Sequence, residues 1–417
     1  MLFPVITSGK QPGSEAGKIR DATDADNNSG AVMHIVMFVV SLIEAQVLTL
    51  AGILPLPVKV LWKVCLLCFA LLASFKFHLL HLIGGGRFFA PDLPQWVILP
   101  MSWLHAAGVI MCLLLSAASL LRLLTLFWLR FSAGRWFSWS CPALTWGIAG
   151  IAVISLLAAG WGLWRGRSMP LVREMEVAVA DLPDSAEGFR LVHLSDIHVD
   201  SLYPAGRYSE IAALVNTLNA DAVAITGDFA DGGVEELGAH FSEAPRMQAR
   251  YGVFGASGNH DFYSGYDRWR ELLEASGIQM LDNRCVTLSC GIAVGGVTDL
   301  AAHRFREFPM PDVKGTVNSA GGEMPVILLS HQPKAAPEAA ASGAVLQLSG
   351  HTHGGMLPGL ASMVAASNNG FVRGLYQVGR MKLYVSNGTG IWSGFPIRLG
   401  CPPEIAVITL RRERTAE

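Results

Sequence analysis

Between Ala31 and Trp164 the chain carries only nine Asp, Glu, Lys or Arg residues among 134, although the full 417 residues hold 64. A water-soluble globule does not cover itself with so little charge, so this stretch is built for a bilayer. Four runs within it are apolar over about 20 residues, the length of helix that spans a hydrocarbon core. They are residues 31–54, 58–83, 95–121 and 143–164. Pro55 and Pro57 separate the first pair, and Gly84-Gly85-Gly86 with Pro91 and Pro94 the second. Trp62, Trp96, Trp103, Trp161 and Trp164 lie near the ends of these runs, where amphipathic rings favour the headgroup zone. The stretch Leu121–Trp139, with Arg122, Arg130 and Arg135 among aromatics, reads as lying along the interface. Glu44, Gln46, His78, His81 and His105 fall inside or at the ends of the spans, and helix–helix hydrogen bonds are their expected use. Membrane lipids are therefore the first expected partner.

Residues 1–30 are polar and read as disordered, with no cleavable signal peptide. Four crossings return the N-terminus and the C-terminal part to one side. That side carries Lys10, Lys18, Arg20, Arg87, Arg165, Arg167 and Arg173, against Lys59, Lys63, Arg122, Arg130 and Arg135 opposite. Seven against five leans toward a cytoplasmic C-terminal domain. Cys285, Cys290 and Cys401 suit a reducing compartment, and seven irregularly spaced cysteines make no disulfide framework. With 31 basic and 33 acidic residues, no positive excess points to nucleic acid.

From Arg165 onward the composition is that of an ordinary globule. Residues 165–188 read as a linker and lead-in strand, and 189–417 as one α/β layered domain. Apolar strand-like runs cover Arg190–Ser195, Ala222–Thr226, Gly252–Ser257, Val326–Ser330, Ala344–Ser349, Lys382–Ser386 and Glu404–Leu410. Helical periodicity covers Tyr208–Asn219, Val234–Ala249, Tyr266–Ala275 and Pro333–Ala341. Polar groups follow the strands: Asp196-Ile-His198, Gly227-Asp228, Gly258-Asn259-His260-Asp261, His331 and Gly350-His351-Thr-His353. The carboxyl ends of parallel strands are where such sheets bind ligands. Carboxylates, imidazoles and one amide suit divalent ions such as Mn, Fe, Zn, Mg or Co rather than thiolate-seeking ones. Seven donors exceed the need of one tetrahedral ion and suit two ions sharing a carboxylate, with Asp228 central in the order. Two ions about 3.5–4 Å apart can clamp the oxygens of a phosphoryl group during in-line displacement. Glycines before Asp228, Asn259 and His351 allow close approach of the backbone.

The joint series D-x-H, G-D, G-N-H-D, H, G-H-x-H resembles the calcineurin-like metallophosphoesterase superfamily, over roughly Glu174 to the C-terminus. Leu182-Pro183, Ser195-Asp196-Ile-His198, Gly350-His-Thr-His-Gly-Gly355, Gly394-Phe-Pro-Ile-Arg398 and Pro403-Glu404-Ile405 resemble its bacterial membrane-associated subgroup. That subgroup includes transmembrane proteins with a metallophosphoesterase domain and relatives that hydrolyse UDP-2,3-diacylglucosamine in lipid A synthesis. The resemblance implies a layered β-sandwich flanked by helices, two divalent metals, and a bacterial inner-membrane location. It assigns Asp196, His198 and His353 to one metal, Asn259, His331 and His351 to the other, and Asp228 to both. His260 would serve the leaving oxygen, with Asp261 placed to orient it. Met356 departs from the polar residue expected after Gly-Gly. Asn368 and Arg373, in the loop after the last ligand, and Arg304, in a second loop with His303 and Arg306 that would cap the cleft, are candidate substrate contacts. The expected reaction is hydrolysis of a phosphodiester or pyrophosphate bond in a lipid-linked substrate. The alternatives are a soluble substrate with the spans as an anchor, and a non-catalytic transporter or sensor.

Overall fold

The computed structural model describes residues 34–84, 91, 93–133, 141–305, 307–322 and 324–413. The segment 1–30, the Gly85-Gly86-Arg87 connection, Arg135 and Arg306 lie outside them.

Among the described residues, three helices are long and apolar enough to cross a membrane: α1 (His34–Ile53), α4 (Gln95–Ala133) and α5 (Cys141–Gly166). The second expected span is broken. Its residues form α2 (Val60–Ser74) and α3 (Lys76–Gly84), bent by 72° at Phe75, so a fourth crossing exists only if the pair counts as one. The cause is chemical: Lys76 interrupts the apolar run, and hydrocarbon offers its ammonium no partner. The bend carries Lys76 to the C-terminal domain, where Nζ donates to the carbonyls of Ser393 (3.0 Å) and Gly394 (3.2 Å) while the side chain is 2% exposed. This break removes the parity argument that put the N-terminus and the large domain on one side.

The third expected span is longer than its sequence reading. No proline or glycine interrupts residues 109–133, so α4 runs unbroken through Leu121–Ala133, which the sequence suggested lay along the interface. Its 39 residues make about 58 Å of helix, roughly twice a hydrocarbon core. Between the helices, His105 Nδ1 lies 2.8 Å from the Ala73 carbonyl, a cross-helix bond of the expected kind.

The C-terminal domain packs two six-stranded sheets face to face. The strands are β1 (Leu171–Val179), β2 (Arg190–Leu194), β3 (Ala222–Thr226), β4 (Val253–Ala256), β5 (Ile278–Met280), β6 (Arg284–Thr287), β7 (Ala293–Gly296), β8 (Val326–Leu329), β9 (Leu346–Ser349), β10 (Gly374–Val378), β11 (Met381–Val385) and β12 (Glu404–Arg412). One sheet has the order β1-β12-β2-β3-β4-β5, the other β10-β11-β9-β8-β7-β6. The lead-in strand is β1, paired in parallel with β12 from Leu171 to Val179. Leu191, Ala224, Phe254, Val294, Ile327 and Leu348 fill the space between the sheets. Separate apolar clusters seat the helices outside each sheet. β2, β3 and β4 run parallel, as do β8 and β9, so their carboxyl ends open on one edge of the sandwich.

Candidate metal centre

All seven sequence-predicted ligands meet at that edge. Asp196 and His198 follow β2, Asp228 follows β3, Asn259 follows β4, His331 follows β8, and His351 and His353 follow β9. His353 Nε2 lies 3.0 Å from His198 Nε2 and 3.4 Å from Asp196 Oδ1. Asp228 Oδ2 lies 3.6 Å from His198 Nε2 and 3.1 Å from His331 Nε2, so this carboxylate stands between two donor groups. Asn259 Oδ1 is 3.0 Å from His351 Nδ1, and the His331 and His351 rings are 5.1 Å apart.

The backbone is forced to make this convergence. Asp196, His198, Asp228, His351 and His353 have φ of 51°, 48°, 54°, 69° and 49°, a left-handed conformation that costs L-residues about 1 kcal/mol each. Glycine is required twice nearby for close approach. A Cβ on Gly258 would land on the Asp228 carboxylate, and one on Gly350 on Ser195 Oγ and the Asp196 carboxylate. Local hydrogen bonds hold the turns: the His351 N–H donates to both Asp196 oxygens (3.0 and 3.1 Å), and the His260 N–H to Asp228 Oδ1 (2.8 Å).

The donor chemistry fits cations. His331 donates from Nδ1 to the Thr226 carbonyl at 2.7 Å, which leaves a lone pair on Nε2 in the neutral ring. That buried atom makes no hydrogen bond, although it faces the Asp228 carboxylate. His198 likewise turns Nδ1 to Asp231 Oδ2 (3.0 Å) and presents Nε2 to His353 and Asp228. Burial lowers the pKa of both rings, and the facing carboxylates, Asp228 at His331 and Asp231 at His198, more than reverse it. The site thus calls for a positive charge beside these rings, a proton or a cation in its place, and a ligating histidine commonly gives its other N–H to a carboxylate or carbonyl. Burial pushes His351 down to about 3, with His331 adding to the shift, so its ring is neutral as a ligand must be.

One expected role is corrected. Asp261 does not orient His260; its oxygens accept from the backbone N–H of Gly258 (2.7 Å), Asp228 (3.0 Å) and Phe229 (2.8 Å). A carboxylate three residues past Gly258 folds back on its own turn, which leaves it facing away from the neighbouring ring. Asp231 takes the place instead, with Oδ1 2.6 Å from His260 Nδ1. The signal was present in Asp228-Phe-Ala-Asp231, a second carboxylate one turn beyond the first. Burial alone would lower the His260 pKa, but Asp231 and Asp228 outweigh it and raise it to about 9. Burial raises Asp231, and the charges of His198 and His260 more than reverse that, holding it well below the usual carboxylate range.

A second missed residue is Arg398, buried to 2% exposure. Its guanidinium donates to the carbonyls of His353 (2.7 Å) and Gly390 (2.8 Å) and lies against His353 Nδ1. Of the substrate candidates, Arg304 donates to the Tyr263 hydroxyl (3.2 Å), and the Tyr263 ring borders His260. Asn368 is buried and bonds the Val364 carbonyl, and Arg373 bonds the Gly400 carbonyl. Neither has a described contact with the seven, and Asn368 Oδ1 is buried without a hydrogen bond. His303 Nδ1 lies against the Leu300 carbonyl.

The calcineurin-like phosphoesterase family matches residues 189–355, which carry every one of these strand ends. An uncharacterised metallophosphoesterase of Helicobacter pylori is 32% identical over 260 residues, 62% of this chain and 68% of that protein. The chain belongs to the calcineurin-like metallophosphoesterase family. This family uses a dinuclear divalent metal centre, and the His and Asp groups described above could hold one. A transmembrane protein with metallophosphoesterase domain from Danio rerio is 37% identical over 272 residues, 62% of each chain, so this chain spans under two thirds of that relative. A metallophosphoesterase of Bacillus subtilis is 29% identical, over 64% of this chain and 95% of its own length. Among solved structures, Haemophilus influenzae NAD nucleotidase aligns with a TM-score of 0.35 at 18% identity, over 48% of this chain and 45% of that one.

Proposed function

We propose that this protein is a membrane-embedded, metal-dependent hydrolase of phosphodiester or pyrophosphate bonds in an amphipathic, lipid-linked substrate. The observation that carries the substrate class is how the site is seated. The segments that follow the last ligands rest directly on the apolar helices. Leu357, Phe395 and Ile397 are buried in one cluster with Ala106, Ala107 and Ile110 of α4 and Ala159 of α5. Arg398, which seats His353, donates its backbone N–H to the Gly162 carbonyl of α5 at 3.0 Å. This contact between the segments that follow His353 and the apolar helices supports a substrate drawn from the membrane.

Asp196, His198, Asp228, Asn259, His331, His351 and His353 would hold two divalent ions. When bound, such ions polarise a phosphoryl group and lower the pKa of water. His260, kept protonated by Asp231, would donate to the departing oxygen. The Trp392 and Tyr263 rings, each 5.8 Å from the His260 ring, would border the leaving group.

The test is turnover by the full-length protein, with Mn, Mg, Fe, Zn or Co, of lipid-linked pyrophosphates and diesters against soluble esters. A nucleotide-linked diacyl sugar such as UDP-2,3-diacylglucosamine represents the lipid class. We expect preference for the lipid-linked set, and loss of metal and of at least about a thousandfold in rate in Asp228→Ala. Equal or better turnover of soluble esters would reduce the helices to an anchor. No metal-dependent turnover of any substrate would leave a ligand-binding domain.

A further inference from the structure

Where α5 ends and α4 begins, a cavity of about 560 Å³ opens between the helices and the C-terminal domain. Its helix side is apolar, made by Leu99, Leu163 and Trp164, and Trp164 is 58% exposed at the end of its span. Its domain side carries two guanidinium groups, Arg167 and Arg207. None of the seven metal-centre residues lines it.

No carboxylate is among the residues that line this cavity beside the two arginines. Arg167 donates to neutral oxygens, Gln95 Oε1 at 3.0 Å and the Leu202 carbonyl at 3.4 Å, and its buried Nε makes no hydrogen bond. Arg207 pairs with the exposed Glu210 at 3.3 Å, one turn along its own helix. The buried Asp200 accepts from the Leu202 N–H through Oδ1 at 2.8 Å, and its charge reaches Arg167 without a hydrogen bond to it. Burial, and then the like charge of Arg207, lower the Arg167 pKa, and the charge of Asp200 opposes this only in part.

We propose that this cavity is a binding site for the phosphate headgroup of an anionic phospholipid. The polarity runs the right way for that ligand: cations toward the domain, an apolar wall and an interfacial tryptophan toward the bilayer. Guanidinium forks match phosphate oxygens in pairs, and a lipid brings the chains that Leu99 and Leu163 cover. A free phosphate would satisfy the arginines and leave the apolar wall unused. The site is independent of the hydrolytic reading, because it needs no metal and shares no side chain with the metal centre.

The experiment is native mass spectrometry of the detergent-purified full-length protein, titrated with phosphatidylglycerol, phosphatidylcholine or inorganic phosphate. One phosphatidylglycerol should be retained per chain in preference to phosphatidylcholine. Arg207→Gln, whose side chain makes no bond to the helices, should weaken retention roughly fivefold, and the Arg167→Gln/Arg207→Gln pair about thirtyfold. Bound metal should stay unchanged in Arg207→Gln, which separates this site from a failure of the fold. Equal retention of the two lipids, or undiminished phosphatidylglycerol in the double variant, would overturn the proposal. Full displacement by millimolar inorganic phosphate would overturn it in favour of a simple anion site.

Discussion

Asp231 touches two rings at once, His198 through one oxygen and His260 through the other. Replacing it by Asn keeps the shape and removes the charge. The sign of the effect on His260 follows from what raises its pKa: with Asp231 gone, the value falls from about 9 toward the ordinary range. If His260 acts as a proton donor, the alkaline limb of the rate profile should move to lower pH in Asp231→Asn. The rate at its optimum should fall about 10²–10⁴-fold. A pH–rate series checks both. Asp261→Asn should do something different. An amide has one acceptor oxygen and a donor where Asp261 serves three N–H groups, so the cost is about 1–3 kcal/mol of stability, read as a lowered melting temperature. The convergence of the seven candidate donors was legible in sequence because each side chain comes just after an apolar run. The roles of Asp231 and Asp261 were not, because adjacency along the chain does not say which carboxylate turns back onto its own loop.

At the scale of elements, the strands with long apolar runs, β2, β3, β8 and β9 among them, were readable within two residues. The short β5, β6 and β7 and the half-exposed β10 were not, since three to five residues without strong alternation resemble any loop. The bend between α2 and α3 was missed for a related reason: hydropathy averages across one lysine. Yet Lys76 ties that bend to the carbonyls of Ser393 and Gly394, in the loop that carries Trp392 and Arg398. Lys76→Met should leave those carbonyls unpaired at about 1–3 kcal/mol and loosen the seat of His353. Faster loss of bound metal on dialysis should report it, with partial rescue in Lys76→Arg. Metal retention identical to the unmutated protein would mean that the lysine only tolerates its place.

For the whole molecule, the two halves share a core. Leu357, Phe395 and Ile397 of the C-terminal domain are buried against Ala106, Ala107 and Ile110 of α4 and Ala159 of α5. A fragment beginning at Arg165 should therefore aggregate or bind metal poorly, and a well-behaved, fully active fragment would show that the shared core is dispensable. The five left-handed residues of the centre bear on the same scale. At about 1 kcal/mol each, they load roughly 5 kcal/mol onto a fold whose entire margin is of that order. Bound ions at a thousand times their dissociation constant return about 4 kcal/mol. Chelation should thus lower the melting temperature, and readdition restore it. In a cell the consequence would be one of supply: how much of this protein matures would depend on the divalent ions at hand at the moment of its synthesis, before any substrate is met.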